Sequence, residues 1–278
     1  MRNIQKLKKQ LIAKKASKLF SRFLINIENA AASTSETDIH QLRVSVKKWR
    51  ALLNLAAFSK AGKKAKKFYS HYKKVYKASG ELREIQLHTV LINNSPTNKN
   101  MLPLLSLLEK QKESCKLQFS NICQSTHFAD KKGAVKNFTD LISSVNPKSI
   151  AKYRAACFKR TEKLIKQCAS DEQKLHDLRK LLKQWLYNTQ FLKECGYTFS
   201  YTNELITLLS AFGELLGNWQ DKDVAIQYLY ILSTEKSPLD TSAFRSFNEG
   251  LILEKADLQR QINQRILVLS EFLTKICK

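Results

Sequence analysis

The chain has 278 residues, 43% of them apolar, and 48 Lys and Arg against 24 Asp and Glu, for a formal net charge of +24. That apolar share is ample for a core, no run of about 18 apolar residues offers a membrane span, and the charge excess selects polyanions as partners: nucleic acid, an anionic surface or a polyphosphate. Seven Gly and four Pro leave few turns and favour long helices in an all-α protein, while six Cys without a Cys-x-x-Cys pair exclude a zinc ribbon or a redox motif of that type.

In chain order, residues 3 to about 30 form an amphipathic helix with Ile4, Leu7, Leu11, Ala16, Leu19, Phe23 and Ile27 toward one side. Its start, Met1 to Lys15, is basic and lacks the apolar centre of a signal peptide. Ser33 to Asp38 breaks the helix and offers N-caps for the next, which runs to about Phe58. Gly62 marks a boundary, Lys63 to Ser79 is a third helix, and Gly80 opens a fourth that ends at Asn93 to Pro96. Residues 100–124 and 130–143 are helices joining two halves. Pro147 stands at N1 of a basic helix over 148–169. The helix after it ends near Glu194, with Cys195-Gly196 as its C-cap. Helices over about 203–212 and 217–233 follow, and Pro238 opens the last.

One pattern occurs twice at a long fixed offset, which suggests duplication. Ile39-His40-Gln41-Leu42-Arg43-Val44-Ser45-Val46-Lys47-Lys48-Trp49-Arg50 is matched by Leu175-His176-Asp177-Leu178-Arg179-Lys180-Leu181-Leu182-Lys183-Gln184-Trp185-Leu186. On a helical wheel Ile39, Leu42, Val46 and Trp49 share one stripe, as do Leu175, Leu178, Leu182 and Trp185, so both tryptophans belong to the core. On one flank of each stripe lies a row at i, i+3, i+7: His40, Arg43 and Lys47, continued by Arg50, and His176, Arg179 and Lys183. Like charges this close repel by a few tenths of a kcal/mol per pair, and a bound anion would offset that. A solvated face with cationic stems over apolar surface is the plainer reading; its recurrence with His leading twice favours a site.

His-x-x-Arg-x-x-x-Lys followed by an aromatic residue resembles the conserved-histidine α-helical domain, the CHAD family. A second element supports the resemblance. Leu216-Gly217-Asn218-Trp219-Gln220-Asp221-Lys222-Asp223-Val224 looks like the family's Asp-x-Asp-Val segment, and Gly80-Glu81-Leu82-Arg83-Glu84-Ile85-Gln86-Leu87 looks like its partner, with Glu84 and Gln86 in place of the two acids. The resemblance covers nearly the whole chain and implies binding of inorganic polyphosphate in a basic groove where two halves meet.

The expected architecture is a single all-α domain over 1–278: two pseudo-symmetric helical bundles, four-helix-like repeats of about 1–125 and 140–278, packed as one unit with the groove between them. The candidate polyphosphate-binding residues are His40, Arg43, Lys47, Arg50, His176, Arg179 and Lys183, with Lys73, Lys74, Lys77, Arg83, Arg154 and Arg160 as a second tier. Polyphosphate has no base edges, so Lys point charges, Arg forks and His N–H donors are the groups that can recognise it. No cofactor, metal or catalysis is expected: His40 and His176 have no third ligand at matching spacing, His71, His88 and His127 are incidental, and Asp221 and Asp223 read as structural acids. Two alternatives stay open. Nucleic-acid binding would recruit the same charges and use Tyr69, Tyr72 or Tyr76 for stacking, and a phosphate-processing enzyme would use Asp221 and Asp223. The expected location is the cytoplasm, with reduced thiols and no membrane partner; association with polyphosphate granules is implied only by the family.

Overall fold

A computed structural model of the chain describes residues 2–95, 98–125, 130–168, 171–234 and 242–277. Among these there is no strand. The helices are α1 (Arg2–Ser33), α2 (Glu36–Ala56), α3 (Gly62–Ser70), α4 (Lys73–Asn93), α5 (Leu102–Ser125), α6 (Lys131–Ser143), α7 (Pro147–Gln167), α8 (Glu172–Glu194), α9 (Thr202–Thr234) and α10 (Ser242–Cys277), with a 3-10 turn over Asn98–Met101. No helix is long and apolar enough to cross a membrane among the described residues.

Local chemistry fixes the ends of the two helices that carry the rows. Before α2, Thr34 takes a left-handed conformation (φ 48°) and Ser35 caps the helix by accepting from the Asp38 backbone N–H. The hydroxyls of Ser33 and Ser35 donate to the Asp38 carboxylate, which lowers its pKa. Asp171 caps α8 by accepting from the Gln173 N–H. Its C-terminus closes as a Schellman motif: Gly196 sits at φ 79°, its N–H bonds the Lys193 carbonyl, and the Tyr197 N–H bonds the Leu192 carbonyl. The α7 start is a capping box, with Asn146 and Ser149 reciprocally bonded and Pro147 in the first turn.

Two boundaries differ from the sequence expectation. The break after α3 falls at His71 and Tyr72, not at Gly80, and α9 runs unbroken through Gly213 and Gly217. Tyr72 turns the chain because its ring is buried against Phe20, Phe23 and Trp49, at 5.7, 5.2 and 5.7 Å between centroids. A glycine inside a helix costs about 1 kcal/mol relative to Ala, and packing overrides that here. The expected start of the last helix at Pro238 lies outside the described residues.

Helices α1, α2, α4 and α5 pack as one four-helix bundle, and α7, α8, α9 and α10 as another; α3 and α6 lie against the first. The bundles share two seams. At the first, α2 crosses α8 inside a core that runs through both bundles and buries Trp49, Trp185 and Trp219. At the second, Ile92, Leu104 and Leu108 from one bundle pack on Ala225, Leu229 and Leu251 from the other. His88, expected to be incidental, is buried at this seam. It stacks on Tyr228 at 4.5 Å, and the Tyr228 hydroxyl donates to Gln111. In the first seam Asn188 is fully buried, and its amide donates to the Ala51 carbonyl and the Tyr153 hydroxyl, both at 2.8 Å. Replacing Asn188→Ala removes both bonds and opens a void, so urea unfolding should show a loss of roughly 1–3 kcal/mol.

Candidate functional site

The α2–α8 seam decides where the two rows go. Both stripes enter the shared core, so the flank beside each stripe turns toward the other helix. Burial lowers the Lys47 pKa to about 8, with the charges of Arg43, Arg179 and Lys183 adding to the effect and Asp221 opposing it. Arg43 is lowered by burial first and then by Arg83 and Arg179, against Tyr76 and Glu84. Lys183 is lowered by burial and Arg179, against Glu214. His40 is lowered by desolvation and then by Arg83, Lys47 and Arg43. Thus Arg43 and Lys47 of α2, Arg83 of α4, and Arg179 and Lys183 of α8 form one cluster of mutually repelling cations.

Aromatic and backbone groups hold the arginines in place. The Arg43 guanidinium donates to the Tyr76 carbonyl at 3.2 Å and lies 4.8 Å from the Tyr76 ring centre. Arg50 lies over Tyr69 at 4.4 Å and Tyr76 at 5.3 Å. Arg83 pairs with Glu36 at the start of α2. The buried Nε of Arg179 has no hydrogen-bond partner among the described residues. Two mid-helix glycines are explained by this packing, since a Cβ on Gly80 would stand 2.7 Å from an Arg43 terminal nitrogen and one on Gly213 would stand 3.1 Å from the Lys183 stem; a Cβ on Gly217 would meet nothing within 4 Å.

The paired segments after each row make like contacts. His176 hydrogen-bonds Gln220 through Nδ1, while Arg83, the matching position, is the strongest charge acting on His40. Asp221 and Glu84 both face cations. Packing pushes the Asp221 pKa up, and Arg179, Lys47, Arg83 and His88 pull it down; Glu84 acts on Arg43. Asp223 and Gln86 are buried anchors. The Gln86 amide donates to the Thr34 carbonyl just before α2, and Asp223 binds Lys255 at 2.8 Å, which also binds Glu172 at the start of α8. Each anchor therefore fixes the N-terminus of a row helix.

The second-tier residues divide. Arg83 joins the cluster. Lys73 and Lys74 are exposed in the first turn of α4 with no ion pair or hydrogen bond among the described residues, and Lys77 pairs with Glu81 at 3.7 Å. Arg154 is not brought to the cluster: it lies 3.3 Å from the Phe199 ring centre and 5.3 Å from that of Tyr201, where it seals the α8–α9 loop. Arg160 is exposed on α7 beside buried Cys157. His127 falls outside the described residues and His71 is exposed. Of the tyrosines proposed for stacking, Tyr72 is in the core and Tyr69 and Tyr76 already carry guanidinium groups. Tyr76 and Asp221, read from the sequence as a stacking candidate and a structural acid, stand in the site as a holder of Arg43 and an acid among its cations, and Gln220 is a site residue that spacing did not single out. Among the described residues no group of three or more His, Cys, Asp or Glu side chains is placed to hold a metal ion.

Comparison with known proteins bears on the family and the fold. A family model described as CHAD domain matches residues 14–230. The crystal structure of the CHAD domain from the plant Ricinus communis superposes with a TM-score of 0.67 at 18% identity, covering 93% of this chain and 91% of that one. A comparison with curated proteins finds no match.

The glycine packing generates a test. Gly80→Ala should keep or raise the melting temperature, since Ala gains up to about 1 kcal/mol in a helix.

Proposed function

The chain belongs to the CHAD-domain family, and from that premise we propose that it binds inorganic polyphosphate, without turning it over, in a basic groove between two helical repeats. The observation that carries the proposal is the convergence of two rows on one place: Lys47 on α2 has Arg43, Arg179 and Lys183 as its principal cationic neighbours and Asp221 as its acidic one. A cluster so short of anions is stabilised by any polyanion that reaches several of its members. The order of contacts we assign is Arg43 and Arg179 as phosphate forks, Lys47 and Lys183 as point charges between them, and His40 and His176 as N–H donors at the ends of the rows. The Gln220 Oε1 accepts from the His176 Nδ1–H, so His176 donates to the ligand through Nε2 in its doubly protonated, imidazolium form. Arg50 and Arg83 extend the surface; Lys73, Lys74 and Lys77 guide the anion from further out.

The acids support binding over turnover. Asp223 is consumed by Lys255, and Asp221 lies among cations where a phosphate would compete with it. Nucleic acid remains the second reading on charge alone, but the exposed stacking surface it would use is occupied by Arg43 and Arg50. We place the protein in the cytoplasm, at polyphosphate stores.

Titration with long-chain polyphosphate in physiological salt, with excess double-stranded DNA and RNA present, should show binding that survives the competitors. Arg43→Ala and Arg179→Ala should each cost roughly 1.5–3 kcal/mol. Loss of binding to the competing nucleic acids would transfer the site to the second reading. A pH series adds a sign. Lys47 must be charged to attract phosphate, and its folded value near 8 lies below the roughly 10.4 of an unperturbed lysine. Affinity should therefore fall as pH rises through about 8, and Lys47→Arg, which stays charged, should flatten the decline.

A further inference from the structure

A second site lies on the other flank of α2. A cavity of about 320 Å³ opens between α1, α2 and α8, and no residue of the two rows lines it. Its volume falls at the lower end of the range for small-ligand pockets, roughly 300–1,000 Å³. The apolar part of its lining is Leu19, Val44 and Leu52 together with the rings of Tyr187 and Phe191, one helical turn apart on α8. Four cations stand around it: Lys15, Lys18, Arg22 and Lys48. Among the described residues only Lys15 is neutralised, by Glu194 at 2.7 Å. Lys18, Arg22 and Lys48 are exposed, with no ion pair or hydrogen bond among the described residues. Gln190 lines the cavity as well and offers both an amide donor and an acceptor.

This combination differs from the cluster at the α2–α8 seam. Inorganic phosphate chains have no apolar part and would leave the aromatic floor unused. A purely apolar ligand would leave three unpaired cations at the mouth. A ligand that uses both carries a flat, weakly polar ring and a short run of phosphates. We propose that this cavity binds a nucleoside di- or triphosphate, with the base against Tyr187 and Phe191, Gln190 on the base edge, and the phosphates on Arg22, Lys18 and Lys48. Arg22 supplies the two-pronged contact and the lysines supply point charges. Adjacent residues of α2 serve different sites, Lys47 the seam cluster and Lys48 the cavity. The proposal does not depend on polyphosphate binding at the seam.

Calorimetric titration of the full chain with ATP, with adenosine and tripolyphosphate as the two halves of the ligand, tests it. With the seam disabled by Arg43→Ala and Arg179→Ala, ATP should bind saturably with one equivalent per chain and more tightly than either half. The pair Arg22→Ala with Lys48→Ala should weaken ATP by about ten-fold or more, the scale of losing two charge-assisted contacts. Val44→Trp should fill the floor and abolish ATP binding while circular dichroism and the tripolyphosphate response of the seam cluster stay as in the parent. Three results would overturn the assignment: no saturation at millimolar ATP, tripolyphosphate binding as tightly as ATP in the Arg43→Ala with Arg179→Ala background, or ATP binding lost in Arg43→Ala with Arg179→Ala and kept in Arg22→Ala with Lys48→Ala.

Discussion

The structure depends on one conflict: apolar stripes that must be buried against each other carry cationic rows on their flanks. Packing α2 on α8 buries Trp49, Leu42, Leu178 and Leu182 in a single core, and the same contact forces Lys47 toward Arg179 and Lys183. Burial of apolar surface stabilises the seam by about 25 cal/mol per Å², whereas like charges in partial burial oppose it. The remaining architecture manages that opposition. Tyr76 and Tyr69 hold two guanidinium groups in place, and glycines at 80 and 213 make room for Arg43 and Lys183. Gln86 and the Asp223–Lys255–Glu172 chain fix the row helices at their N-termini.

Much of this is legible in the residues. The apolar stripes, the rows beside them and the Gly196 cap follow from helical period and from one residue's freedom at positive φ. Gly80 and Gly217 misled because a glycine reads as a boundary when viewed locally. Gly80 and Gly213 instead lie inside long helices, where a Cβ would strike a side chain of the neighbouring row helix. Arg154 was grouped with the site because basic residues on a helix next to a row are indistinguishable by spacing; the rings of Phe199 and Tyr201, more than forty positions along the chain, decide its place. The His176–Gln220 pair and the Tyr76 contact with Arg43 are equally non-local, and no period encodes them. His88 looked like an isolated histidine because its partner Tyr228 comes from the other bundle.

The two cation-rich regions on either side of α2 differ in what accompanies the charge. At the seam, the aromatic rings near the cations are already covered by arginines, so the surface offers charge and N–H donors. A ligand without bases suits that surface. In the cavity beside α1 the rings of Tyr187 and Phe191 are joined by unpaired cations, which suits a ligand with both an apolar ring and phosphates. Tyr187 connects the regions, since it lines the cavity and its hydroxyl also feels the charge of Arg179.

The central claim is that the two rows make one site, and stoichiometry tests it most directly. Calorimetry with a short polyphosphate of defined length, run on the parent, Arg43→Ala, Arg179→Ala and the double variant, gives the number of chains bound and the coupling between the arginines. The account predicts one polyphosphate per protein, lower affinity at unchanged stoichiometry in each single variant, and non-additive losses in the double variant. Two equivalents per protein, one removed by each single substitution with additive energies, would contradict it and leave two independent surfaces in place of a shared groove.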